Sequence, residues 1–301
     1  MQQTGYSQIG IIGAGAFGSA IGQSLTRAKT QVLFYDKDPT RTTTGSIEDI
    51  VKTCEVILLC VPSWEVEYVA NEIHKHAHPS NPSLVIATSK GVVKGFVTMD
   101  QLLASHLPKH FAIGVLGGAM IAEEITQQRP ANGVLALSEM SYFEPLRSQL
   151  AQAKLFMQPA SDTKGVALCS ALKNVYTIAL GMSDGLRLGL NAKGWLAVEA
   201  LTEMRRLVSQ LGGDRYIVDT IAGLGDLMSS SFGSDSFNYR IGKSLSEGIV
   251  NEHVKSEGLV TLSELSHKIK LTDYPLARVI EQATFHYGKP QKLAELFSII
   301  A

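Results

Sequence analysis

The chain has little cysteine and almost no net charge. Three of its 301 residues are cysteines, and Cys54, Cys60 and Cys169 lie in apolar contexts with neither metal-type spacing nor a disulfide framework. A reducing cytoplasm is the implied compartment. The 27 Lys and Arg nearly cancel the 28 Asp and Glu, for a formal charge of -1. With no broad basic field to attract nucleic acid, a small molecule is the expected partner. No apolar run approaches the roughly 20 residues that span a bilayer, so membrane insertion is not expected. Residues 1–8 are polar and lack the charged start, apolar stretch and small-residue cleavage site of a signal peptide. Internal repeats and low-complexity tracts are also missing. The 45% of apolar residues is enough, over this length, to bury a substantial core in two domains.

From Ile9 to about Gln158 short apolar runs alternate with amphipathic stretches, the rhythm of a βαβ series. Strands are predicted at 8–12, 31–35, 55–61, 83–88, 111–116 and 133–137. Near-continuous Val56, Ile57, Leu58 and Leu59 imply burial on both faces, as in a parallel sheet. After about Ser161 the pattern becomes helical. One helix is expected over 166–182, around Lys173 and Asn174. Another is expected over 191–211, with Glu203, Arg205 and Arg206 on a wetter face and Trp195 and the stripe 196–201 in the core. The predicted class is α/β: an N-terminal Rossmann dinucleotide-binding domain over 1–160 and an all-helical C-terminal substrate domain over 161–301.

A glycine-rich turn, Gly13-Ala14-Gly15-Ala16-Phe17-Gly18, follows the first predicted strand and opens a predicted helix. Gly13 would make the tight turn, Gly15 would let backbone approach a pyrophosphate, and Gly18 would let the helix pack closely on the sheet. The helix N-terminus offers amide hydrogens and a positive dipole end to phosphates. Asp36 ends the second strand, where an acidic side chain can bind the ribose hydroxyls and repel a 2′-phosphate. That favours NAD as cofactor, while Lys37 and Arg41 are near enough to keep NADP open. Lys90 follows the fourth strand, at the carboxyl end where ligands of open parallel sheets bind, and could hold an anionic or carbonyl-bearing substrate.

Lys173, within an apolar helix, and Asp226, in the glycine-bounded segment Gly223-Leu224-Gly225-Asp226-Leu227, suit proton transfer to a carbonyl oxygen while a nicotinamide delivers hydride. Burial and Lys90 would lower the lysine pKa, and Asp226 would raise it and hold the ammonium in place. Asn174 is placed to orient substrate or to cap its helix face. His74, His76 and His78 alternate by two and end at Pro79, the pattern of a solvated helix end. Ser229, Ser230 and Ser231, with Gly233, Ser234 and Ser236, read as a mobile loop beside Asp226.

These segments, together with Ser89-Lys90-Gly91, Ala171-Leu172-Lys173-Asn174, Asn191-Ala192-Lys193 and Glu257-Gly258, resemble the NAD(P)-dependent glycerol-3-phosphate dehydrogenase family over most of the chain. The resemblance implies reduction of dihydroxyacetone phosphate to sn-glycerol 3-phosphate, within glycerol-3-phosphate metabolism and phospholipid biosynthesis. It implies Lys173 as proton donor and acceptor and Lys90 in contact with substrate and cofactor. Asp226, Ser236 and Asn238 would line the substrate pocket, and Gly118, Ala122 and Glu257 would fall at cofactor positions. A homodimer is the expected assembly. Three departures fall where substrate is chosen. Gly118-Ala119-Met120-Ile121-Ala122 replaces a Gly-Pro-Ser/Asn-Phe-Ala pattern, Phe237 stands where the family has arginine, and the connection from Asp36 to Ile50 is short. The alternatives are a related dehydrogenase for another oxo or hydroxy substrate, and a nucleotide-binding homologue without turnover.

Overall fold

The computed structural model describes residues 5–79, 83–232, 236–249 and 254–285. The chain divides into two compact units, one made of Met1–Ser89 with Thr98–Ala167 and the other of Lys90–Val97 with Leu168–Ala301.

The first unit begins with β1 (Gln8–Ile12), α1 (Ala16–Arg27), β2 (Gln31–Tyr35), α2 (Ile47–Thr53), β3 (Val56–Leu59), α3 (Ser63–His76) and β4 (Leu84–Ala87). Two-residue strands β5 (Val92–Val93), in the segment counted with the second unit, and β6 (Val97–Thr98) precede α4 (Met99–His106). β7 (Ala112–Gly117), α5 (Ala122–Thr126), β8 (Ala131–Leu137), α6 (Phe143–Gln152) and β9 (Leu155–Ala160) follow. Seven strands form one sheet in the order β2-β1-β3-β4-β7-β8-β9. The first five run parallel, β8 is antiparallel to β7, and β9 is parallel to β8. All four residues of β3 and of β4 are buried, as strands covered on both faces must be. The chain leaves β1 for β2 on one side and returns to β3 on the other. The carboxyl end of β1 is therefore the switch point where ligands of such sheets bind, and the glycine turn sits there.

Strand β9 was not among the predicted strands. Only Leu155 and Met157 are buried along it, alternating with exposed Phe156 and Gln158, and Pro159 breaks the apolar pattern. As an edge strand, paired among the described residues to β8 alone, it tolerates the proline.

The second unit is helical: α7 (Thr163–Gly185, its first residues counted with the first unit), α8 (Gly189–Gln210), α9 (Asp226–Phe232), α10 (Phe237–Ser246), α11 (Glu257–Lys268) and α12 (Pro275–Phe285). By length and composition α7 could cross a membrane, but its most apolar stretch of 18 residues is wholly buried, as in a core helix. Leu168, Leu172, Val175, Tyr176 and Ala179 pack there with Leu196, Met204 and Leu207 of α8.

Glu203 corrects an expectation. Instead of facing water it is 3% exposed. Its carboxylate accepts hydrogen bonds from the Tyr176 hydroxyl (2.9 Å) and from the first-turn amides of α12, Leu276 (2.7 Å) and Ala277 (3.0 Å). Those amides have no partner inside their own helix, and a carboxylate also complements the helix dipole. Burial pushes its pKa upward even so. Glu203→Ala would strand these donors and is expected to cost about 2–3 kcal/mol in chemical denaturation, with Glu203→Gln losing less because it keeps an acceptor.

Candidate active site

The dinucleotide-type turn belongs to the first unit. Gly13 has φ of 97°, in the left-handed region, and an added Cβ would come within 2.6 Å of the Cys60 carbonyl oxygen. At Gly18 a Cβ would lie 2.0 Å from the Gly13 carbonyl oxygen, so α1 can approach the turn only without a side chain. Gly15 differs: among the described residues, a Cβ there would meet nothing within 4 Å. Gly15 is also the N-cap of α1 and contributes no side-chain hydrogen bond. Two glycines are therefore required by the fold, and the third keeps open the space where a pyrophosphate would approach the helix N-terminus. Half-buried Phe17 packs against the core of the unit and Ala16 is exposed.

Asp36, immediately after β2, accepts hydrogen bonds from the Ala14 amide (2.7 Å) and the Asp38 amide (2.9 Å). Each bond uses one carboxylate oxygen, and each oxygen keeps a lone pair for a ribose hydroxyl. The short connection folds back here, with the Thr42 hydroxyl accepting from the Asp36 amide and donating to its carbonyl. Arg41 is paired with Asp38 at 3.2 Å. The residues present thus fit a dinucleotide.

The other sequence-predicted positions of this unit follow β7. Gly118 has φ of 119°, and a Cβ there would come within 2.8 Å of Gly133. Ala122 is the first residue of α5. Met120, one of the departures from the family pattern, is buried in the core of the unit and does not present its side chain to solvent.

The charged cluster belongs to the second unit. Lys173, midway along α7, is 6% exposed, and Asp226, the first residue of α9, is 2% exposed. One Asp226 oxygen lies 3.1 Å from the Lys173 Nζ and the other 2.6 Å from the Lys90 Nζ. Lys173 also donates to the Ser230 hydroxyl at 2.9 Å. Burial pushes the Lys173 ammonium down to about 8, Asp226 pulls it upward, and Lys90 adds a further downward push. Burial alone would raise the Asp226 carboxyl, yet Lys173 and Lys90 hold it below the usual carboxylate range. One carboxylate between two ammonium groups leaves the cluster with one net positive charge, suited to an anionic ligand or a developing alkoxide.

A chain of amides braces this cluster. The Asn174 side chain donates to the Lys90 carbonyl (2.7 Å) and accepts from Asn238 (3.1 Å), whose own oxygen accepts from the Gly258 amide (3.2 Å). A Cβ on Gly258 would lie 2.7 Å from the Asn174 carbonyl oxygen, which explains a glycine after Glu257 at the start of α11. Ser236 is the N-cap of α10, and its side chain makes no capping hydrogen bond among the described residues. Lys193 and Tyr239 both donate to Asp184, Lys193 at 3.0 Å.

The residue missed from sequence is Ser230. Its serine-rich surroundings suggest a loop, but Ser229, Ser230 and Ser231 lie within α9, and Gly233 and Ser234 lie outside the described residues. Once the segment is helical, the offset of four from Asp226 puts both side chains on one face. Phe237 is 49% exposed, and the Arg240 guanidinium lies 5.9 Å from its ring centre. Asn238 is buried, so Arg240 and Asn238 lie in different environments on α10, as their offset of two predicts.

The chain is similar to known proteins over both of its units. Residues 42–143 match the N-terminal, and residues 162–295 the C-terminal, region of NAD-dependent glycerol-3-phosphate dehydrogenase. The NAD(P)+ glycerol-3-phosphate dehydrogenase of Desulfitobacterium hafniense is 30% identical over 95% of this chain and 89% of its own length. That of Neisseria meningitidis serogroup B is 35% identical over 70% of this chain and 67% of its own. Among solved structures, glycerol-3-phosphate dehydrogenase from Coxiella burnetii superposes with a TM-score of 0.86 at 26% identity, covering 97% of this chain and 98% of that one.

Proposed function

Because the chain belongs to the NAD-dependent glycerol-3-phosphate dehydrogenase family, and is therefore an NAD(P)-dependent oxidoreductase acting on a CH–OH group, we propose that it reduces dihydroxyacetone phosphate to sn-glycerol 3-phosphate with Lys173 as proton donor. The observation that carries this reading is the buried Lys173 ammonium 3.1 Å from the buried Asp226 carboxylate, an environment whose desolvation pushes the lysine down to about 8. A general acid works best with its pKa near the working pH. Bound NADH supplies the hydride to the carbonyl carbon. Lys173 gives its proton to the carbonyl oxygen as charge develops there, and takes one back in the reverse direction. Asp226 keeps the ammonium aimed, and Ser230 fixes it from a second side. Lys90 and Asn238, with backbone amides, are the groups assigned to the substrate phosphate; Arg240, turned away from Asn238 on α10, is not among them.

Phe237 favours a second reading. An exposed aromatic ring cannot pair bidentately with phosphate as arginine does, so a substrate with an uncharged tail would suit this helix face better. The Lys173 chemistry is the same in both readings.

Reduction needs protonated Lys173 and oxidation needs it neutral. The kcat for reduction is therefore expected to fall as pH rises through about 8, and that for oxidation to rise through the same point. Initial rates in both directions across this range check it, and parallel profiles would remove Lys173 from proton transfer. For the cofactor, Asp36 at the ribose position and Arg41 already paired with Asp38 favour NADH. The expected kcat/KM is higher with NADH than with NADPH by on the order of tenfold, and an NADPH preference would mean that Lys37 or Arg41 overrides Asp36.

A further inference from the structure

The backbone just before Asp226 makes one unusually wide turn. Residues Ile221–Gly225 are π-helical. The Gly225 amide reaches back five residues to the Thr220 carbonyl (3.2 Å), and the Asp226 amide reaches the Ile221 carbonyl. Such turns are rare, and they change the direction in which the next side chain leaves the helix. Here the next side chain is the carboxylate shared by Lys173 and Lys90. Thr220 fastens the turn at its start: its hydroxyl accepts from the Ala222 amide (3.2 Å) and donates to the Ile217 carbonyl (2.7 Å). The turn is also backed closely, since a Cβ on Gly223 would lie 2.3 Å from the Val218 carbonyl oxygen.

We propose that Thr220 is a positioning residue for the reaction, its carbonyl and hydroxyl holding the π-helical turn that aims the Asp226 carboxylate at Lys173. This rests on the reading of Lys173 as the acid. Among the described residues, the groups that face the Lys173 ammonium are Asp226 and Ser230 from α9 and Lys90 from the segment 90–97. Asp226 is the charged group among them that favours the protonated form. Loosening the turn withdraws it and leaves burial and Lys90 to lower the lysine further.

Thr220→Val keeps the branched shape and deletes the hydroxyl, Thr220→Ala is a second deletion, and Thr220→Ser retains the group. The direct readout is the titration of Lys173 in the ligand-free protein by NMR of 13C-labelled lysine, with the signal assigned by its loss in Lys173→Met. The deletions are expected to lower the Lys173 midpoint by about half a pH unit or more. They should also reduce kcat on the order of tenfold at unchanged KM for NADH, because the acid is displaced while the dinucleotide site is intact. Thr220→Ser should restore both. An unchanged midpoint in whichever deletion variant keeps a cooperative thermal melt overturns the proposal, whatever happens to stability. Since the midpoint is read without turnover, an unimpaired kcat in Lys173→Met would reject the acid role separately.

Discussion

Lys173→Met is expected to lower kcat by roughly 100-fold or more while leaving NADH affinity within about twofold. The substitution keeps the length and apolar stem of a side chain that is 6% exposed, so α7 retains its packing. It removes the ammonium that lies between the Asp226 carboxylate and the Ser230 hydroxyl. Asp226 keeps Lys90 as counter-ion at 2.6 Å, so no unpaired buried charge is created. The glycine turn and Asp36 belong to the other unit and are untouched. Steady-state rates with NADH fluorescence titration separate the two quantities. Turnover within a few-fold of the parent would exclude Lys173 as the proton donor.

Asp226→Asn is expected to be more damaging, because it fails in two ways. Two ammonium groups then share a buried site with no carboxylate, and breaking such a pair typically costs about 3–5 kcal/mol. Lys173 responds by releasing its proton more readily, since Asp226 is the charge that holds its pKa up. With less ammonium at neutral pH, kcat for reduction is expected to fall by about 100-fold or more. The stability loss carries a pH signature. The folded-state pKa of Lys173 is already below its unfolded value and drops further in the variant. The unfolded chain therefore binds more protons over that interval, and stability rises with pH. The deficit relative to the parent should be largest between the carboxylate range and the lowered Lys173 pKa; it shrinks as pH rises through that lysine pKa, and also at acid pH, where protonation of Asp226 removes the parent's own advantage. A deficit that keeps growing with pH above the carboxylate range would mean that Asp226 does not act through Lys173.

Much of the first unit was legible because a buried parallel sheet writes itself in continuous apolar runs. β1 and β2 occupy 8–12 and 31–35, the positions their apolar runs predict, and β3 lies within 55–61. β9 was not legible, since an edge strand needs only two inward residues and tolerates a proline. Glu203 was misread because a charged residue on an amphipathic helix is ordinarily solvated. Its actual partners, Tyr176 and the start of α12, are 27 and more than 70 residues away, and no local pattern announces them. α7 was legible as a helix over 166–182, and Ser170, Lys173, Asn174 and Thr177 break its apolar residues into short runs.

The charged cluster was legible in part. Lys90, Lys173, Asn174, Asp226 and Asn238, singled out by motif, are brought together by α7, α9, α10 and the segment 90–97. Ser230 was hidden by composition, and the π-helical turn before Asp226 by the general difficulty of reading a five-residue hydrogen-bond offset from glycine and alanine. Phe237 was legible as a departure but not in its surroundings, where Arg240 lies over its ring.

The most direct measurement is NADH oxidation by the parental protein, with dihydroxyacetone phosphate and a panel of unphosphorylated oxo compounds as alternative substrates. Charge-assisted contacts to a phosphate contribute about 1.5–3 kcal/mol each, so kcat/KM for the phosphorylated ketone is expected to exceed that of its unphosphorylated counterpart by at least tenfold. Turnover of an unphosphorylated compound, with none of dihydroxyacetone phosphate, would contradict the proposed substrate.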